Sequence, residues 1–179
     1  MAYTLQQLSD FEDIRTVKHR YYRGIDTADE ALLSTLFTDD VTVEYRGGGY
    51  LVRLAGREAM IDFLMNSFNA DSVAVHQGHM PDITLIGDDE AEGIWYLDDV
   101  FISLERKDVT TGSAIYRDRY RRVDGKWKIA NTEYDRITEV VQPLRDDMNI
   151  TVHHLAKVGR KAHERGDISH LITWFNEAA

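Results

Sequence analysis

Two histidines, His76 and His79, lie three residues apart within residues 75–81. Side chains at this spacing point to opposite faces of a regular strand, so the two imidazoles cannot easily bind one metal ion. A single imidazole that faces a pocket suits proton transfer near neutral pH. The competing interpretation is a core histidine with one satisfied hydrogen bond, and the spacing leaves both open.

Two adjacent aspartates, Asp98 and Asp99, interrupt an apolar strand pattern over residues 91–104. Alternation places Asp99 on the same face as Trp95 and Leu97, whereas Asp98 lies among equally apolar residues on the other face. A lone buried carboxylate is costly unless it is paired, so we expect at least one aspartate to have a dedicated partner. Periodicity does not decide which one, and a bulge that turns an aspartate to water is the alternative.

Three further groups could contribute polar atoms to a pocket. Tyr21 belongs to an apolar helical stripe, so its hydroxyl is expected to point inward and to need a partner. Asp26 follows it closely but would equally suit a turn. Tyr116, Asp118 and Tyr120 share one strand face, which cross-strand packing alone would explain.

The usual signatures of several enzyme classes are missing from the sequence. It has no Gly-rich phosphate loop, no Gly-x-Ser-x-Gly elbow and no paired-histidine zinc helix. It also has no cysteine, which excludes disulfides, thiolate nucleophiles and cysteine metal sites. Proton-transfer chemistry remains by elimination.

Helical periodicity governs the first part of the chain and its end. Capping boxes at residues 9–12 and 27–30 predict the starts of two helices, and a third is predicted after Gly56. Beyond Pro143, residues 150–175 are predicted to be helical again. This tail could cap a pocket or bind a neighbouring subunit.

A period of two marks the strands. A hairpin is predicted from residues 41–45 and 50–54, and longer strands from residues 73–85, 91–104, 113–123 and 127–137, the last two joined by a turn at Asp124-Gly125. We therefore predict the α+β class, with N-terminal helices packed on a cone-shaped, curved antiparallel sheet whose mouth can hold a small molecule. Residues 1–145 would form this single domain and residues 146–179 a C-terminal helical extension.

Composition and charge limit the classes of molecule that this protein could bind. The 179 residues carry a net charge of −10, which disfavours nucleic acid. No apolar stretch is long enough for a bilayer and the N-terminus lacks a secretory pattern, so we expect a cytoplasmic protein without a membrane partner. Arg117, Arg119 and Arg121 share one strand face, which is expected to be solvated or to meet an anionic group.

Six segments together resemble the scytalone-dehydratase-like, or SnoaL-like, branch of the nuclear transport factor 2-like superfamily, which includes bile acid 7-alpha-dehydratase. The resemblance runs in order through residues 10–140 and leaves the tail uncovered. The segments are KHRYYRGID (18–26), GREAMIDFL (56–64), VHQGHMPDITL (75–85), AEGIWYLDDVF (91–101), AIYRDRYRRVDGKWKI (114–129) and EYDRI (133–137).

The resemblance implies a site and a reaction. It selects His76 over His79 and Asp99 over Asp98, and it implies a catalytic set of Tyr21, Asp26, His76 and Asp99, with Arg136, Trp95, Tyr116 and Tyr134 contacting the substrate. The implied reaction is a cofactor-free and metal-free dehydration of a small hydrophobic hydroxy-ketone of steroid or polyketide type. In it, His76 is the base, Asp26 its orienting partner and Tyr21 the donor to the carbonyl oxygen. Asp99 would orient His76 or assist the departing hydroxyl, and Arg136, near the mouth, would bind an anionic group. Family members are often trimers, so a homotrimer is also expected.

Two other functions remain open at this point. A ketosteroid-type isomerase would use the same pocket, although it would need a lone carboxylate base rather than a His–Asp pair. A non-catalytic small subunit or ligand-binding protein of the same fold is the second alternative, because one fold hosts many functions.

Overall fold

The computed structural model describes residues 2–175. Its helices are α1 (Leu5–Asp26), α2 (Glu30–Ser34), α3 (Arg57–Ser67) and α4 (Leu155–Val158). In this part of the chain, no helix combines the length and the apolar character needed to cross a membrane.

Seven strands form one sheet. They are β1 (Phe37–Arg46), β2 (Tyr50–Ala55), β3 (Ser72–Leu85), β4 (Glu90–Ser103), β5 (Asp108–Val123), β6 (Lys126–Pro143) and β7 (Ile172–Trp174). Their order across the sheet is β3-β4-β5-β6-β1-β2-β7. The β1–β6 pair is parallel and the other neighbouring pairs are antiparallel, so the sheet is mixed rather than wholly antiparallel. N-terminal helices packed on this sheet confirm the predicted α+β class.

Register shifts bend the long strands. The register between β3 and β4 shifts between His79 and Asp82, and the register between β5 and β6 shifts at two points. Bulges of this kind increase local twist and bend the strand, so the sheet curves over the helices without closing. The predicted turn joins β5 to β6, with positive φ at both Asp124 (51°) and Gly125 (72°), the conformation that two-residue hairpins favour.

The concave face of the sheet and the helices enclose the core. Long helix α1 packs mainly against β3 and β6, and α3 packs against β1 and β2. The largest fully buried side chains are Trp95, Tyr21, Tyr120, Lys18, Phe37, Ile14, Ile25, Leu33, Met60, Leu64, Leu97 and Ile129. Lys18 is the unexpected member of this set.

Both predicted capping boxes were placed wrongly. Helix α1 begins one turn before Ser9, because Thr4 and Gln7 form a complete capping box of their own. Helix α2 is capped by Asp29, whose side chain accepts a hydrogen bond from a backbone N–H three residues later. Thr27 instead donates to a carbonyl in the last turn of α1.

The prediction of a helical extension after residue 145 is wrong for its described part. Residues 146–175 contain only the four-residue α4, two short 3-10 turns (Ala162–Glu164 and Ser169–Leu171) and strand β7. Strand β7 pairs antiparallel with β2, an edge strand that would otherwise expose unpaired N–H and C=O groups. The last predicted positions, 176–179, lie outside the described residues.

Candidate active site

A cavity of about 860 Å³ opens between the concave face of the sheet, α1, α3 and the tail. Its volume is that of a typical small-molecule site. Of the predicted site residues, Tyr21, His76, Asp99, Tyr116, Tyr134 and Arg136 line it. Asp26 lies directly behind His76.

His76 and Asp26 form a doubly hydrogen-bonded pair. The His76 Nδ1 and Asp26 Oδ1 atoms are 2.7 Å apart, and the backbone N–H of His76 donates to Asp26 Oδ2 over 3.0 Å. Asp26 is the last residue of α1, so the end of this helix fixes the histidine of an edge strand. In the tautomer whose Nδ1–H donates to Asp26, the ring keeps its Nε2 lone pair as a proton acceptor.

Aromatic rings hold the imidazole in place. The ring of Tyr22 is nearly parallel to that of His76 (13° between planes), and Phe68 meets it edge-on at a centroid distance of 5.0 Å. Gly78 makes this packing possible, because a Cβ on it would lie 1.9 Å from the Tyr22 ring. The His76 side chain is only 7% exposed, so the surrounding atoms leave the ring few other orientations.

Phenol hydroxyls converge on the same cavity. The Tyr21 and Tyr45 oxygens are 2.8 Å apart, and those of Tyr50 and Tyr134 are also hydrogen-bonded. Burial raises the pKa of Tyr21, Tyr45 and Tyr134 above the ordinary value for tyrosine. They are therefore neutral donors at physiological pH. One O–H of each pair is used within the pair, which leaves the other for a ligand.

Asp99 faces the cavity and Asp98 faces outward. Both Asp99 oxygens accept from Arg136, at 2.5 Å from Nη1 and 2.8 Å from Nη2. Arg136 Nε lies 3.1 Å from Glu139 Oε2, close enough for ion pairing but not aligned as a hydrogen bond. Burial opposes the charge of Arg136, but the hydrogen bonds to Asp99 and the electrostatic effect of Tyr50, Tyr134 and Asp99 together outweigh burial and raise the pKa of Arg136. Arg136 is thus already engaged by two carboxylates.

His79 and Asp98 lie on the other side of the sheet. His79 Nε2 is 3.0 Å from Asp98 Oδ2, and both side chains are substantially exposed. The two histidines therefore point to opposite faces, as their spacing predicts. Within residues 2–175, no group of three or more His, Asp or Glu side chains is arranged to hold a metal ion.

Trp95 is not among the residues that line the cavity. Its side chain is fully buried in the core, and its indole N–H donates to the Tyr120 hydroxyl over 3.0 Å. The Tyr120 hydroxyl donates in turn to Asp118, which lies 2.7 Å from the ammonium group of Lys18. This buried ion pair lies next to the site, with Lys18 Nζ 3.6 Å from the Tyr116 ring centroid.

Several lining residues escaped prediction. Tyr45 follows Val41 and Val43 at every second position of β1, so it shares their buried face, and this signal could have revealed it. Glu139 lies beyond the predicted end of its strand, and β6 continues to Pro143. The tail contributes Arg165, Ile168, Ile172, Trp174 and Phe175, which no local pattern assigns to a cavity.

Comparisons with solved structures place this geometry among known folds. A hexachlorocyclohexane dehydrochlorinase (LinA type 2) is 19% identical, with a TM-score of 0.72 over 83% of this chain and 99% of its own. The LinA type 3 enzyme from Novosphingobium barchaimii LL02 is also 19% identical, with a TM-score of 0.69 over 83% and 98%. A protein provisionally named a scytalone dehydratase, from Novosphingobium aromaticivorans, is 18% identical, with a TM-score of 0.68 over 87% and 97%.

At these identities the structural likeness establishes the fold. The sequence itself carries the family, because the model of the SnoaL-like domain matches residues 6–133, well over half of the chain. That match contains nearly all of α1, strands β1 to β5 and the first part of β6, and it ends before the tail. The chain belongs to the SnoaL-like domain family, within the nuclear transport factor 2-like superfamily.

Proposed function

We propose that this protein is a cofactor-independent lyase, a dehydratase that removes water from a hydroxy-ketone of steroid or polyketide type. The observation that carries the proposal is the 2.7 Å contact between His76 Nδ1 and Asp26 Oδ1 at the wall of a cavity. A positioned imidazole backed by a carboxylate is a suitable base for abstracting a proton from carbon. The names of the structural neighbours, a dehydrochlorinase and a provisional dehydratase, describe eliminations of the same kind.

The reaction begins with proton transfer to His76. Its Nε2 takes a proton from the carbon next to the substrate carbonyl, while Asp26 holds the tautomer and stabilises the imidazolium that forms. The electron pair of the broken C–H bond moves onto the carbonyl oxygen as an enolate. Neutral tyrosine hydroxyls, with Tyr21 and Tyr45 as the candidates, donate hydrogen bonds to that oxygen.

The second step expels the hydroxyl group. The enolate re-forms its carbonyl, a C=C bond forms, and the C–O bond at the β (or vinylogous) position breaks. The proton held by the imidazolium neutralises the departing hydroxide, so the products are an enone and water and the base is regenerated. Asp99, which Arg136 holds through two hydrogen bonds, can accept a hydrogen bond from the leaving hydroxyl and orient it.

The test is turnover by matched histidine variants. On a hydroxy-ketone found by screening for new enone absorbance, His76→Ala is expected to lose about 10²–10⁴-fold in kcat, the usual contribution of a general base. His79→Ala removes the same side chain from the outer face of the same strand and is expected to keep full activity. Thermal unfolding of each variant is measured first. If His76→Ala is as active as the parent protein, the proposal is wrong.

We also propose a homotrimer. Its support is the family resemblance together with two apolar side chains on the outer face of the sheet, Val75 and Val100, which are 41% and 37% exposed. Val75 and Val100 are direct cross-strand neighbours. Arg117 and Arg121, by contrast, pair with carboxylates of the same chain. Sedimentation that shows only a 20.6 kDa monomer at micromolar concentration would contradict this assembly.

A further inference from the structure

Acidic side chains outnumber basic side chains in the lining of the cavity. Five carboxylates lie among its lining residues against three arginines, a formal charge of −2 from these eight groups. No lysine lines the cavity in the described part of the chain. The carboxylates are those of Asp71, Asp99, Glu105, Asp108 and Glu139, and the arginines are Arg106, Arg136 and Arg165. Asp26 adds a further negative charge behind His76.

Each of these arginines is already bound to carboxylates of the same chain. Near the mouth, Arg165 lies 3.1 Å from both Asp71 and Glu105. Arg106 binds Asp108 through two nitrogens, at 2.9 and 3.2 Å. Arg136 is held between Asp99 and Glu139, as described above, and its side chain is 10% exposed.

An anionic ligand would therefore find no uncommitted cation. Moving a carboxylate, sulfate or phosphate group out of water is costly unless a positive group or several donors replace the lost hydration. Deep in the cavity, Arg136 would have to leave Asp99 and Glu139, whose side chains are only 6% and 13% exposed, and buried carboxylates left unpaired are strongly unfavourable. The neutral phenols around Tyr21 and Tyr134 remain available, and they suit an uncharged carbonyl oxygen.

From this arrangement we infer that Asp99 and Glu139, by occupying Arg136, make the cavity select uncharged ketones over ligands that place a carboxylate inside it. This inference concerns the substrate of the proposed lyase and so rests on that function. The two carboxylates act as specificity-determining residues. Glu139 is itself fixed, since its Oε1 accepts from the backbone N–H of Gly48 over 3.0 Å.

Calorimetric binding of two probes with the same ring system tests this inference. The probes are 2-acetylnaphthalene, an uncharged aryl ketone, and 2-naphthoate, an anion. We expect the parent protein to bind the ketone at least about tenfold more tightly than the anion, which is a difference in binding free energy of about 1.4 kcal/mol. Glu139→Gln frees Arg136 Nε and is expected to raise naphthoate affinity about tenfold while leaving ketone affinity nearly unchanged.

Glu133→Gln is the control for total charge. It also removes one negative charge from β6, but its side chain pairs with Arg46 outside the cavity. It should leave both affinities unchanged. Asp99→Asn provides a second variant should Glu139→Gln fail to fold, with the same expected gain for naphthoate.

Three results would overturn the inference. They are equal or tighter binding of naphthoate by the parent protein, an equal gain for Glu133→Gln and Glu139→Gln, and binding of neither probe by the parent protein. The proposed reaction is judged separately, because His76→Ala is expected to lose turnover and still prefer the ketone. A preference for the ketone without any dehydratase activity in the parent would refute the reaction and leave the charge selection standing.

Discussion

Raising the pH above about 10 is expected to unfold this protein over a narrow range. Burial raises the pKa of seven of its nine tyrosines, and these are Tyr21, Tyr22, Tyr45, Tyr50, Tyr116, Tyr120 and Tyr134. In the unfolded chain a tyrosine titrates at about pH 10. Because the folded pKa values are higher, the stability that these groups contribute is complete below pH ~10 and is lost as the pH rises towards them.

The magnitude follows from proton counting. Above about pH 10 each buried tyrosine lowers the free energy of unfolding by about 1.4 kcal/mol per pH unit, so seven lower it by about 10 kcal/mol per unit. A domain with a free energy of unfolding of about 5–15 kcal/mol should therefore unfold within about one to two units above pH 10. Lys18 has the opposite effect, because burial lowers its pKa. Its contribution to stability rises with pH between its lowered pKa in the folded protein and its ordinary pKa of about 10.5 in the unfolded chain. It offsets only one of the seven.

Urea unfolding followed by circular dichroism, from about pH 8 to about pH 11.5, measures this slope. Tyr22→Phe is the matched variant, because the buried Tyr22 hydroxyl has no hydrogen-bond partner among the described residues. It should remove one proton from the slope and stabilise the protein near pH 7 by about 1–3 kcal/mol, the cost of an unpaired buried polar group. If the free energy of unfolding stays constant across that range, or phenolate absorbance rises gradually in a folded protein, the reasoning is refuted.

Three shorter predictions concern the site and its support. Lys18→Met should lower the free energy of unfolding in urea by about 3–5 kcal/mol, because it leaves Asp118 buried without its cation. The double variant Lys18→Met/Asp118→Asn should recover most of that loss, and equal stability of the two variants would contradict the pairing. Gly78→Ala should lower both Tm and kcat, since the added methyl displaces the Tyr22 ring that packs on His76, and an unchanged Tm would show that the helix and strand have room. Activity should be the same after dialysis against a chelator, because His76 and not a metal supplies the base in the proposed reaction; recovery of lost activity by added zinc would refute that mechanism.

Local patterns determined much of the fold. Alternation and turn residues predicted six of the strands, and the positive φ values at Asp124 and Gly125 follow from their residue types. The spacing of His76 and His79 required opposite faces, and the cost of a lone buried carboxylate required a partner for an inward aspartate. These inferences succeed because they depend only on side-chain direction within one element.

Partners from distant segments were decided by the tertiary structure. Asp99 meets Arg136 across 37 residues only because the register of β4, β5 and β6 aligns them, and a period of two cannot choose between Asp98 and Asp99. The resemblance to a family, not the pattern, made that choice.

The tail and the buried ion pair show the same division. Residues 172–174 became a strand because the edge of β2 was open to pairing, and this tertiary demand outweighed the helical spacing of the tail. Lys18 lies on the apolar stripe of α1, and nothing in that helix predicts that Asp118, one hundred residues later, stands opposite it in the core. Sequence thus determined which faces the chemical groups occupy, whereas only the folded sheet determined which of them meet.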